Sequence, residues 1–81
     1  MSKDGLLVRQ VEDEVLVLDT EADLIHQLNA SASMIWRLHA EEMASNEIAA
    51  ALVSEFDIDD DTANRDVEAA LARFRELRLI A

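Results

Sequence analysis

Asp23-Leu-Ile-His-Gln-Leu-Asn-Ala-Ser-Ala-Ser-Met-Ile-Trp36 decides how this chain folds. Leu24 to Leu28 alternates: Leu24, His26 and Leu28 share one face and Ile25 and Gln27 the other, the period of a strand. Asn29 offers a side-chain oxygen to the free amides two or three residues on, which opens a helix. Ala32, Ile35, Trp36 and His39 then recur at helical spacing. A strand therefore runs straight into a helix that carries the only Trp, and a functional edge is expected on that strand.

Upstream, residues 1–4 are expected to fray. Leu6-Leu-Val-Arg-Gln-Val11 is a short β-prone run, and Glu12-Asp13-Glu14 reads as a polar turn. Val15-Leu-Val-Leu18, bounded by Asp19-Thr-Glu-Ala-Asp23, predicts a strand buried on both faces. Downstream, a second helix starts at Ser45, with Ile48, Ala49, Leu52 and Phe56 on one stripe. Asp57-Ile-Asp-Asp-Asp61 breaks it and supplies the cap and negative charge for a third helix. That helix turns Ala63, Val67, Ala70, Leu71, Phe74 and Leu77 inward, while Arg73, Arg75 and Arg78 suit its C-terminal pole. The order is βββααα, an α+β fold with a three-stranded antiparallel sheet followed by three helices. No linker or repeat interrupts it, so residues 1–81 are read as a single domain.

The composition narrows the function. Eighteen acids against seven bases give a net charge of −11. Nucleic-acid binding draws its affinity from Lys and Arg on phosphates, so no nucleic-acid partner is expected. No segment approaches the roughly 20 apolar residues of a membrane span, so no membrane role is expected and the cytoplasm is the default location. With no Cys, neither disulfides nor a thiolate metal site contribute. A core this small favours a partner, and a homodimer is expected over a monomer.

Catalysis needs a constellation of groups, and none assembles here, so the chain is not read as an enzyme and no cofactor is expected. His26 and His39 are the only imidazoles, and both read as structural. Asp57, Asp59, Asp61 and Glu68 fall at positions 1, 3, 5 and 12 of a calcium loop, but Thr62 occupies the position that needs Gly. The residues after Asp61 already read as helix, so capping is the better account and no metal is expected. Asn29-Ala30-Ser31 has the pattern of a glycosylation sequon and is read as a helix cap only.

From Val15 onward the chain resembles the PqqD family, the RiPP recognition elements that bind ribosomally made precursor peptides. The resemblance lies in Leu28-Asn29, Ile35-Trp36, Ile48-Ala-Ala-Ala-Leu52, Phe56-Asp-Ile58 and the closing Val67, Leu71 and Leu77-Arg-Leu-Ile80. It implies a winged helix-turn-helix-like domain acting as a non-catalytic peptide chaperone. A leader peptide would lie as an added strand against the third strand, facing the third helix, and be presented to a modifying enzyme such as a radical SAM protein. By position, Leu24, Ile25, His26 and Gln27 would form the strand wall, and Asp66, Ala70, Arg73, Phe74 and Leu77 the helix wall. Two departures bear on the fold. Ala40-Glu41 and Ala44 replace the family's Asp-Gly turn and Thr cap, which predicts a longer turn or an extended first helix. Arg78 replaces a late Gly, which predicts that the last helix runs on. The alternatives are a winged-helix DNA-binding regulator, which the acidic lead into the third helix opposes, and an accessory subunit acting through its exposed sheet edge.

Overall fold

The computed structural model describes residues 5–80; the fraying expected of residues 1–4 lies outside them. Three strands, β1 (Leu6–Val11), β2 (Glu14–Asp19) and β3 (Leu24–Leu28), precede three helices, α1 (Ala30–Ala40), α2 (Ser45–Phe56) and α3 (Asp60–Glu76). The sheet is an antiparallel meander in the order β1-β2-β3, with Val15 opposite both Gln10 and Leu28. The α+β, winged helix-turn-helix-like architecture expected from the sequence is the one observed.

Helix α1 forms the centre, packing on β2, β3, α2 and α3, while β1 pairs with β2 and turns Leu6 toward the core. Val15, Val17 and Leu28 from the sheet meet Ile35, Trp36, Ile48, Leu52, Val67, Leu71 and Phe74 from the helices in one core. The expectation that β2 is buried on both faces is corrected. Val15, Val17 and Asp19 are buried, but Leu16 and Leu18 alternate with them and are only half-buried. Helices cover one side of the sheet and nothing among the described elements covers the other.

Two buried polar residues tie this core together. The Ser33 hydroxyl accepts from the Val15 N–H (2.8 Å) and donates to the Leu28 carbonyl (3.0 Å). Val15 and Leu28 are register partners, so a side chain from α1 completes the rung where β2 and β3 part. At the other end of β2, Asp19 Oδ1 accepts from the N–H groups of Glu21 and Ala22 (both 3.1 Å) and shapes the turn into β3.

The helix starts follow the sequence. Asn29 Oδ1 accepts from the Ala32 N–H (2.9 Å) and Asp59 Oδ1 from the Thr62 N–H (2.7 Å). Hydrogen bonds from the Thr62 hydroxyl and N–H hold the Asp59 carboxyl below its usual range. Asp59 therefore caps a helix, and Asp61 and Glu68 lie within α3 rather than in a calcium loop. Ala44 has no capping side chain; instead the Glu47 carboxylate accepts from the Ala44 N–H (3.2 Å).

The helix ends depart from expectation. Helix α1 stops at Ala40 without extension, and α3 stops at Glu76 instead of running through Arg78. In both, a left-handed residue turns the chain back: Glu42 at φ 63° and Arg78 at φ 60°. Met43 then donates to the Leu38 carbonyl (3.1 Å), and Leu79 to the Phe74 carbonyl (2.8 Å). Burying Leu79 fixes the second stop, so packing outweighs the preference for Gly. The left-handed conformation costs a side-chain-bearing residue roughly 1–2 kcal/mol, partly offset by the looser unfolded chain of Gly. Glu42→Gly and Arg78→Gly are each expected to stabilise the fold by about 0.5–1 kcal/mol. Urea titration checks this, and a lowered midpoint for either would refute the account.

Candidate functional site

β3 has β2 on one side and no strand on the other among the described residues. The direction of its backbone groups follows from two bonds. The Thr20 N–H donates to the Gly5 carbonyl (2.9 Å), on the β1 side, whereas the Val15 N–H points to Ser33 and Leu28, on the β3 side. Backbone groups alternate sides along a strand. Val15, Val17 and Asp19 therefore face β3 and pair with Leu28, His26 and Leu24. It follows that Ile25 and Gln27 turn their N–H and C=O groups outward, to the free edge.

The four strand residues thus divide by role. Ile25 and Gln27 carry the unpaired backbone ladder, and their side chains lie on the outer face of the sheet. Leu24 and His26 lie on the helix side, Leu24 at 52% exposure and His26 half-buried. Gln27 is anchored, its Nε2 donating to Glu14 Oε1 (2.8 Å).

Asp66, Ala70 and Arg73 of α3 and its C-cap Leu77 follow one another along one flank at helical spacing. Asp66 and Arg73 are exposed, while Ala70 and Leu77 are half-buried. Phe74 sits elsewhere, in the core at 2% exposure, its ring edge-on to Trp36 at 5.3 Å between centroids and 85° between planes. It supports the helix from behind and presents no surface. No Cα of β3 comes within 8 Å of one in α3, and α1 spans the space by packing on both. A free strand edge and a helix flank therefore stand apart on a common floor. Ser33 and Asp19, which set the two ends of this edge, were missed by sequence reasoning; the Asp19-Thr20-Glu21 turn chemistry was the available signal for the second.

No group of His, Cys, Asp or Glu among the described residues is arranged to hold a metal ion. No described helix is long and apolar enough to cross a membrane.

Solved structures of the same fold are known. A solved structure described as TbiB1 in complex with the TbiA(beta) leader peptide is 28% identical, with a TM-score of 0.85 over 96% of this chain and 91% of that one. Another, a lasso peptide synthetase B1 complexed with the leader peptide, shares the fold at 23% identity, with a TM-score of 0.89 over 98% and 93%. No curated protein is significantly similar in sequence. The family model for coenzyme PQQ synthesis protein D (PqqD) matches residues 14–80, and the chain belongs to that family.

Proposed function

We propose that the chain is a non-catalytic peptide chaperone that takes the leader of a ribosomally made precursor as a fourth strand on β3. The observation that carries this reading is the outward ladder of Ile25 and Gln27, left unpaired where β3 and α3 stand apart. Strand addition draws affinity from such main-chain groups and selectivity from alternate side chains. Leu24 and His26 on one wall, and Asp66, Ala70, Arg73 and Leu77 on the other, would line the path of the peptide's helix-side residues. Asp66 and Arg73 are exposed and free of core packing, which suits them to charged leader residues. Phe74 would act only by holding α3 in place.

The whole of residues 1–81 serves as one domain, working in the cytoplasm beside a separate modifying enzyme, of the radical SAM or another maturation class. Holding the leader raises the effective concentration of the core peptide at that enzyme. A homodimer would use the second free edge, β1, where Leu7, Val8 and Val11 are exposed, and leave β3 to the peptide. The acidic approach to α3, from Asp57 to Asp61, weighs against a DNA-reading role.

Calorimetry with synthetic leader segments from short precursor-like reading frames neighbouring this gene tests the reading. One peptide per chain with a Kd below about 10 μM is expected. Absence of heat at all concentrations would refute it, and sedimentation of the same samples reports whether chains also pair.

A further inference from the structure

The outer face of the sheet carries an apolar row that stops at the free edge. Leu7 is the register partner of Leu18, and Leu18 of Ile25. All three side chains project away from the helices. Ile25, at 70%, is the most exposed of the large apolar residues among those described. Edge strands of soluble proteins generally guard such a position with charge or Pro, and here it holds a bare β-branched side chain. The next row differs: Arg9, Leu16 and Gln27 stand in register, and Gln27 is tied to the Glu14 carboxylate. The outer face of β3 is therefore apolar at one end and polar two residues later.

We infer that Ile25 selects a large apolar side chain on the incoming peptide, at the position directly across from it on the outer face of the sheet. The inference rests on the strand-addition reading above. Because Ile25 turns its N–H and C=O to the free edge, the residue across from it forms a hydrogen-bonded pair with its side chain on the same face. A β-branched or aromatic residue there extends the Leu7–Leu18–Ile25 row by one member and shields Ile25 from water. With the peptide antiparallel, like every other pair in the sheet, the residue two positions earlier falls opposite Gln27. That neighbour is polar, so the edge distinguishes a polar–any–apolar order from its reverse. Selection on this side is separate from contacts with α3, which lies across the sheet.

The test selects peptides from a randomised display library on the full chain and measures their affinities for wild type and Ile25→Ser. Ile25 is exposed enough that the variant keeps its fold, which circular dichroism checks. Selected peptides are expected to share one large apolar position. Replacing it with Ser should weaken binding to wild type roughly fivefold, and to Ile25→Ser less than about twofold. Tight binders in which no position couples to Ile25 would overturn the inference and leave strand addition standing. Failure to select any peptide, or binding indifferent to N-methylation of the peptide backbone, would overturn strand addition and the inference together.

Discussion

Gln27→Pro is expected to weaken leader binding roughly 10- to 100-fold while leaving the domain folded. Proline removes one N–H and places a ring where it was. At Gln27 that N–H faces the free edge, so the loss falls on the incoming strand and spares the ladder to β2. Proline is tolerated at such positions on edge strands for this reason. Among the described residues, the folded-state bond forfeited is the exposed one from Gln27 to Glu14. His26→Pro is the contrast. Its N–H faces Val17, so the substitution leaves a buried strand unsatisfied and costs about 1–3 kcal/mol of stability. Calorimetry and thermal melting of the two variants separate the effects. Equal loss of stability in both would show that the assignment of outward and inward groups is wrong.

That division of β3 was not legible in the sequence, although the strand was. Period-two alternation placed Leu24, His26 and Leu28 on one face, and side-chain faces are all that alternation reveals. Which backbone groups face β2 depends on the register, which shows only in the folded chain: the Thr20 N–H turns to Gly5 on the β1 side, and the Val15 N–H to Ser33 of α1 on the β3 side. In the sequence Ser33 is one more polar residue near a helix start; its meaning requires knowing that α1 crosses the end of β2. The helix starts were legible because Asn29 and Asp59 act within three residues of themselves. The helix ends were not. Glu42 and Arg78 carry no signal for a left-handed stop, and only the burial of Leu79 against the core makes Arg78 accept one. Phe74 shows the same limit on the site: helical spacing puts it with Ala70 and Leu77, but packing against Trp36 takes it out of reach.

The contact between Trp36 and Phe74 is the second place where a large effect is expected. Trp36, at 7% exposure, links α1 to α3 through this edge-to-face pair. Trp36→Ala should cost about 3–5 kcal/mol, because transfer energy and an unfilled cavity add. A domain of this size holds about 4–12 kcal/mol in all, so the variant is expected to be largely unfolded near its former melting midpoint. Far-UV circular dichroism in urea must report this, since the substitution removes the only Trp. Phe74→Leu is the more telling variant. It keeps most of the volume and should cost less than about 1.5 kcal/mol, leaving a folded chain. Yet no Cα of β3 comes within 8 Å of one in α3 and α1 packs on both, so the separation of the two depends on how each packs on α1. Losing the edge-to-face geometry lets α3 settle differently and changes the spacing of the two walls. Leader binding is therefore expected to weaken severalfold in Phe74→Leu, although Phe74 is buried and offers no surface to a peptide. Unchanged affinity in a folded Phe74→Leu would mean that the peptide is held by the β3 edge alone, with α3 taking no part.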